Sequence, residues 1–420
     1  MDRVSCDDPA LGAQLMPVDE ALQRLAEQVI PLQTFETVAL ADCLGRVLAE
    51  PVYSSINVPP HANSSMDGYA INLAECVARR GQAYPISQRI PAGSVGATLE
   101  QCTAARIFTG APIPPNADAV VMQELCTVLT DDGTDSITIA QLPELHENIR
   151  QAGEDIQAGA CILEAGHQLR AQDVGLLASV GITSINVVRK LTVAVFFTGD
   201  EIKAPGTLLE PGQIYNSNRY TLTAFLNRLG CDVIDLGDVE DNLVATIEAF
   251  TQAAEAADLI MTSGGVSVGE EDHIRPALET LGELAIWRIS IKPGKPLAFG
   301  KIDGTPFIGL PGNPVSVFAT ACILARPYIK AMQGMVFKPV VGIPVPSGFT
   351  LNYTVRRREY LRVRLATDAT GRQVLRLFPN QSSGVLTSAS WGDGFAVVKE
   401  GEKIKEGDAV EFIPFSSVDL

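Results

Sequence analysis

The chain has 420 residues, a formal charge of −17, and 46% hydrophobic against 19% charged residues. That length exceeds one ordinary core and predicts two to four domains, and the composition suits a well-buried globular protein rather than a disordered one. A chain this acidic repels nucleic acid and anionic lipid, so an anionic ligand has to be held by local donors and not by the overall field. Every apolar run is soon broken by Gly, Pro or charge, which argues against a membrane span. The opening MDRVSCDDPALG is acidic and lacks the basic and apolar regions of a signal peptide, so the expectation is a cytoplasmic protein. The eight cysteines include no CxxC pair and the four histidines no HxxxH spacing, so neither a disulfide framework, a thiolate metal site nor a zinc hydrolase is expected.

Residues 15–52 combine a helical period (Val18, Leu22, Leu25, Val29) with a short strand-like TVAL. From 53 to 148 the chain is rich in Gly, Pro and short β-branched runs such as AVVM and SITIA, which predicts a small β-rich domain. An apolar helix at Val174–Val180 suggests that the first segment resumes over 149–187, making the β-rich part an insertion. At Leu191 the texture changes. LTVAVFF is a near-continuous apolar run, as in a parallel strand buried on both faces. A helix (Arg219–Leu229), the strand DVIDL, a helix (Asn242–Ala256), the strand DLIMT, a helix near 272–281, a strand pair and a long helix from Pro314 to about Lys330 follow. Strands alternating with helices predict a doubly wound α/β domain over 188–336. From 337 to 420 the short periods of VVGIPV, YLRVRL, VLRLF, FAVV and AVEFI predict a C-terminal all-β domain. The fold class is therefore multidomain α/β: a central doubly wound domain, a small β-rich insertion, a discontinuous mixed N-terminal domain and a C-terminal β domain.

The residues that carry chemistry cluster at strand ends. The strand LIMT runs through Thr262 and Ser263 into Gly264-Gly265-Val266-Ser267-Val268-Gly269. Glycines there allow a tight turn that points several N–H groups at one place, the following helix start adds positive potential, and the hydroxyls of Thr262, Ser263 and Ser267 supply further donors. In open α/β sheets ligands bind outside the carboxyl ends of the strands, where this loop belongs. An ordinary Gly-rich turn is the competing reading, and the hydroxyl density favours anion binding. A second loop, Ile291-Lys292-Pro293-Gly294-Lys295-Pro296, ends another strand, and its stiff Pro-Gly turn lets both ammoniums converge on one anion. Solvated surface lysines are the alternative. In Leu310-Pro311-Gly312-Asn313-Pro314, Asn313 suits an N-cap and Pro314 the first helical position, so capping explains much of that motif. Carboxylates stand at comparable turns: Asp67, Glu201, Asp241 and Asp272. Each alone reads as a cap or a solvated acid. Beside a phosphate cradle, several acids require a bridging divalent cation, and oxygen ligands with phosphate favour Mg²⁺. In the C-terminal run Arg356-Arg357-Arg358-Glu359-Tyr360-Leu361-Arg362-Val363-Arg364, the side chains of Tyr360, Arg362 and Arg364 share one strand face, which either lines a site or solvates an edge strand. Gln381-Ser382-Ser383-Gly384 is a further hydroxyl-bearing turn.

In this order, NSSMDGYA, FTGAPIP, GEDI, FFTGDE, MTSGGVSVGEED, IKPGKP and LPGNPVS resemble the MoeA family of molybdopterin molybdenumtransferases, related to the E domain of gephyrin, over roughly residues 15 to 415. The resemblance implies a homodimer of elongated four-domain subunits. It also implies small-molecule substrates, adenylylated molybdopterin and molybdate, with Mg²⁺-dependent hydrolysis of the adenylate and molybdenum left on the pterin dithiolene, and a contact with the upstream adenylyltransferase. By position it assigns Asp67, Thr109, Asp155, Glu201, Asp241 and Asp272 to the family's functional acids and hydroxyl, and of these Asp241 and Asp272 are expected, on mechanistic grounds, to hold the magnesium ion. Ser267, Lys292, Lys295, Arg362 and Ser383 match its molybdate-facing positions, and Arg288 stands where many relatives carry lysine, keeping the charge but not the shape. Molybdate is a hard oxyanion that calls for Lys, Arg and hydroxyl donors, while the Mo–S bonds come from the substrate's dithiolene, so no protein cysteine is needed as a ligand. Two other readings are an adenylyltransferase that activates molybdopterin, against which the flanking domains argue, and a non-enzymatic scaffold of the gephyrin type, against which the intact acidic motifs argue.

Overall fold

The computed structural model describes residues 15–418 except 132 and 267–272. These fall into two compact units, one of residues 37–44 and 48–186, the other of everything from Val187 onward with the segments up to Glu36 and Gly45–Val47.

The smaller unit is built on a six-stranded sheet in the order Ala119–Met122, Gly68–Ile71, Ala104–Ile107, Tyr84–Ile90, Thr134–Ile139, Cys126–Asp131. Alternation along the central strands divides the apolar residues between two faces: Tyr69, Ile71, Ala104 and Val121 pack on one side, Ala70, Ala105, Ile107 and Val120 on the other. Two short antiparallel pairings, Val52–Tyr53 with Cys161–Leu163 and Asn63–Ser64 with Ile149–Arg150, join the chain before this sheet to the chain after it. The expected apolar helix is present as Ala171–Ser179, with Asp173 closing a capping box onto Arg170.

The larger unit holds the α/β sheet, ordered Asp232–Val239, Thr192–Thr198, Leu259–Ser263, Thr305–Leu310, Ala298–Ile302, Gly282–Trp287. The first four strands are parallel and the last two antiparallel. The antiparallel edge follows from the Asp303-Gly304 turn, where both residues take positive φ (46° and 86°), the geometry of a two-residue hairpin that returns the chain beside itself. LTVAVFF is buried on both faces, as expected: Val193, Val195 and Phe197 face a core shared with Leu222, Phe225 and Leu226 of the helix Ser217–Arg228, while Ala194 and Phe196 face Phe250 and Ala253 of the helix Leu243–Ala256. Helices on both faces make the domain doubly wound. The helix Val18–Glu27, grouped by sequence texture with 149–187, buries Val18, Ala21, Leu22 and Leu25 in the first of these cores.

The long helix predicted from Pro314 runs as Pro314–Thr320 and Arg326–Met332 with a π turn, Ala321–Ala325, between them. Pro327 has no N–H to return to the carbonyl one turn back, and the wider turn absorbs that missing bond. This stretch of 19 residues is apolar and long enough to cross a membrane, but 89% of it is buried inside the protein, which marks a core helix.

The C-terminal sheet runs Ile291–Lys292, Arg358–Thr367, Gly394–Val398, Ala409–Pro414, Ile343–Pro346, with Gln373–Leu377 also on Arg358–Thr367. Two expectations change here. The Lys-Pro-Gly-Lys loop does not end an α/β strand: after Trp287 the chain turns at Arg288 (φ 75°), and Ile291–Lys292 pairs in parallel with Arg358–Glu359. The strand bearing Arg362 is no edge strand either, because it is paired on both sides.

Candidate active site

A cavity of about 950 Å³ lies at the carboxyl ends of the α/β strands and is walled on the other side by the C-terminal β domain. It sits at the topological switch point, because the helices following the neighbouring strands Thr192–Thr198 and Leu259–Ser263, Ser217–Arg228 and Ile274–Leu281, pack on opposite faces and leave a crevice between the strand ends.

The α/β wall is made largely of backbone. Gly264 and Gly265 take φ of 103° and 62°, which L side chains rarely adopt, and a Cβ on Gly264 would lie 2.5 Å from the Thr198 carbonyl oxygen. Only glycine lets the two strand-end loops approach so closely. The neighbouring hydroxyls are largely committed to holding the loops. The Ser263 hydroxyl donates to the Pro311 carbonyl (2.9 Å) and accepts from the Asn218 amide (2.9 Å), which also donates to the Gly312 carbonyl (2.7 Å). Thr262 is fully buried and its hydroxyl has no hydrogen-bond partner in the structure. Two helices begin at the cavity. Asn216 caps Ser217–Arg228 through its side chain, and Asn313 stands at the N-cap of Pro314–Thr320, where Pro314 supplies the first helical residue as expected. Both direct the positive ends of their dipoles toward the space.

The opposing wall carries the side-chain charge. Lys292, Lys295 and Ser383 line the cavity there, while the acids Glu201 and Asp241 line it from the α/β strand ends. Lys292 Nζ donates to Glu359 Oε1 at 2.8 Å, and the Tyr353 hydroxyl donates to the other oxygen at 2.9 Å. Burial, followed by the charge of Glu359, pushes the Tyr353 phenol up to about 12. Arg362 does not line the cavity. It is 1% exposed, and its guanidinium bonds Ser388 Oγ (3.0 Å) and the carbonyls of Tyr360 (3.3 Å) and Ser382 (3.2 Å), bracing the segment that presents Ser383. Burial pushes its pKa down to about 10, which leaves it charged at neutral pH. Arg288 is likewise not among the lining residues; its backbone N–H bonds the Leu297 carbonyl at the turn before the lysine loop.

Among the sequence-selected residues, the cavity thus gathers Glu201, Asp241, Ser263, Gly264, Gly265, Lys292, Lys295, Asn313 and Ser383. Ser267 and Asp272 lie outside the described residues. Asp67, Thr109 and Asp155 belong to the other unit. There the Thr109 backbone N–H and hydroxyl both donate to Asp67 Oδ1 at 2.8 Å and hold its carboxyl below the usual range. Asp155 is exposed and donates its backbone N–H to the Val58 carbonyl (3.0 Å). Sequence reasoning passed over Asn216, Asn218, Tyr353 and Glu359. The asparagines carried a helix-start signal that says nothing of a cavity, and Glu359 sits among arginines where a solvated acid is the natural reading.

For a magnesium ion the donor set fits in kind. Glu201 and Asp241 offer carboxylate oxygens in one cavity, and magnesium takes one or two carboxylates with the rest from water and substrate phosphate. No cluster of three or more His, Cys, Asp or Glu suited to a metal occurs among the described residues, and Asp272 lies outside them.

A glycine turn and two helix starts at the switch point of a doubly wound sheet, facing lysines across one cavity, suit an enzyme site for an anionic ligand. Three family models cover the chain in order: MoeA N-terminal region (domain I and II) over 16–181, a probable molybdopterin binding domain over 194–331, and MoeA C-terminal region (domain IV) over 346–415. The molybdopterin molybdenumtransferase of Haemophilus influenzae is 38% identical over 96% of this chain and 99% of its own length, and that of a Nostoc species 35% identical over 88% and 86%. A crystal structure of a molybdopterin biosynthesis MoeA protein from Pyrococcus horikoshii is 31% identical, with a TM-score of 0.77, over 96% of this chain and 99% of that one. The chain belongs to the MoeA family of molybdopterin molybdenumtransferases, enzymes of molybdenum cofactor biosynthesis.

Proposed function

We propose that the cavity takes adenylylated molybdopterin with molybdate beside it, that water cleaves the phosphoanhydride to release AMP, and that molybdenum passes to the pterin dithiolene. The observation that carries this reading is the meeting of Lys292, Lys295 and the Gly264–Gly265 turn in one cavity of a chain whose formal charge is −17. Local donors there oppose the repulsion that the overall field exerts on an anion. The lysines suit the hard oxyanion, while the backbone turn and the helix starts at Asn216 and Asn313 suit the phosphate groups. Asp241, with Asp272 from the adjoining segment, would hold Mg²⁺, which when bound neutralises charge developing on the phosphoanhydride oxygens. The lysines hold the oxyanion in place while the phosphoanhydride is cut, so release of AMP frees space beside the dithiolene.

The same reading carries a homodimer and the division into 15–52 plus 149–187, 53–148, 188–336 and 337–420. The test is incubation with adenylylated molybdopterin, Mg²⁺ and molybdate, following AMP. Asp272→Asn should abolish AMP release while the pterin stays bound. Release at the wild-type rate removes Asp272 from the mechanism, and accumulation of adenylate from ATP and molybdopterin would instead mark an adenylyltransferase.

A further inference from the structure

Lys292 and Glu359 are direct partners in the parallel pairing of Ile291–Lys292 with Arg358–Glu359, so a single register position sets an ion pair in the cavity wall. The two ends differ in exposure: the Lys292 side chain is 42% exposed and lines the cavity, whereas the Glu359 side chain is 5% exposed behind it. Tyr353 places its hydroxyl on the second carboxylate oxygen and its ring 5.7 Å from the Lys292 ammonium. Both acceptor atoms of Glu359 are therefore occupied, one by the lysine and one by the phenol. The buried carboxylate does not itself line the cavity, and it cancels much of the charge that Lys292 shows there.

We propose that Glu359 is the positioning counter-ion of Lys292, fixing where the ammonium stands and holding the oxyanion affinity of the cavity below what its lysines alone would give. This rests on the reading of the cavity as an oxyanion site. An enzyme that must hand its metal on gains from an oxyanion held in register but not tightly, because interactions that bind substrate and transition state alike do not speed the chemistry. A carboxylate fixed behind the lysine supplies register and restraint together. Tyr353 adjusts the balance, since its hydroxyl draws charge from the carboxylate and away from the lysine.

The two partners then predict changes of opposite sign. Glu359→Gln keeps the shape and an acceptor for Tyr353 but removes a negative charge one side chain behind the anion. Molybdate should bind the full-length protein roughly tenfold more tightly, the change expected for one unit charge a few ångströms from the ligand in a partly solvated wall. The KM for molybdate should fall with it while kcat does not rise. Tyr353→Phe leaves the carboxylate's charge concentrated on Lys292, and molybdate should bind about twofold to fivefold more weakly. A purely structural part for Glu359 would loosen the wall and weaken binding in both variants, and Glu359→Asp, which keeps the charge, should restore most of the wild-type affinity. Equilibrium dialysis with molybdate alone reads all four proteins. Unchanged or weaker binding by Glu359→Gln overturns the proposal and leaves the oxyanion site standing. If Glu359→Gln does not fold, Glu359→Asp and Tyr353→Phe decide together: near-wild-type binding by the first with weaker binding by the second supports the proposal, and any other pattern overturns it. Absence of molybdate uptake by the wild type removes the oxyanion reading itself, and the counter-ion with it.

Discussion

The two walls of the cavity present positive potential to the same space by different means. On the α/β side it comes from backbone: two glycines at positive φ and two helix starts, with Ser263 and Asn218 spent on binding one loop to the next. On the C-terminal side it comes from side chains, with Lys292 tied down by Glu359 and Arg362 by Ser388 and two carbonyls. A backbone wall is fixed once the fold forms and tolerates no added atoms where its loops touch. A side-chain wall is adjustable, but it carries buried charge that has to be compensated. The first wall should therefore fail by sterics and the second by electrostatics.

The largest effect expected is at Gly264. Gly264→Ala places a methyl 2.5 Å from the Thr198 carbonyl at a φ of 103°, and should cost about 2–4 kcal/mol together with most of the activity. Gly312 lines the same cavity, yet the nearest atom to a Cβ there is 4.0 Å away, so Gly312→Ala should stay within about 0.5 kcal/mol of the wild type. Chemical denaturation of the pair tests whether the backbone wall is rigid where the two loops touch. Next comes Lys292→Ala, which strands the 5%-exposed Glu359 side chain and should cost about 2–3 kcal/mol, less than a fully buried pair because Lys292 is 42% exposed. Adding Glu359→Gln should return most of that stability without returning molybdate affinity. A double variant as unstable as Lys292→Ala would show that the loss came from packing. Arg362→Met should cost about 1–2 kcal/mol by leaving the Tyr360 and Ser382 carbonyls without their donor, and amide exchange across Ser382–Ser383 should quicken.

The backbone wall was the more legible of the two. LTVAVFF, the alternation of strands with helices, and glycines at a strand end each follow from local rules that tertiary context did not override. Even the antiparallel edge had its sign in Asp303-Gly304. The side-chain wall was not legible, because its meaning lies in which strands pair. Ile291–Lys292 is too short to read as a strand of any sheet, and only its pairing with Arg358–Glu359 shows that the lysine loop belongs to the C-terminal domain. Arg362 followed the family pattern by position, but burial among three acceptors is a property of packing that an Arg-rich run conceals. The resemblance to a family supplied the names of residues. Neither it nor the periodicity disclosed that Ser263 is committed to Pro311 and Asn218.

The smallest predicted effect concerns a third arrangement, in the other unit, where an exposed acid is held by neutral donors. Asp67 Oδ1 accepts from both the backbone N–H and the hydroxyl of Thr109, and acceptance favours the ionised form, so the carboxyl titrates below its ordinary value. The backbone N–H is the larger cause and survives substitution, so Thr109→Val should raise the Asp67 pKa only part of the way back. The sign follows from linkage. A carboxyl whose folded pKa is depressed contributes stability above its unfolded pKa, and that contribution is lost as pH falls through the folded value. The wild type, with the lower folded pKa, therefore holds the larger contribution at neutrality, and the difference between the two proteins should vanish once pH falls below both folded values. Carboxyl-carbon NMR titration of Asp67 in both proteins measures this directly. Superimposable curves would mean that the hydroxyl contributes nothing to the charge state, and that neutral donors fix this acid through the backbone alone, as they fix the glycine turn of the cavity.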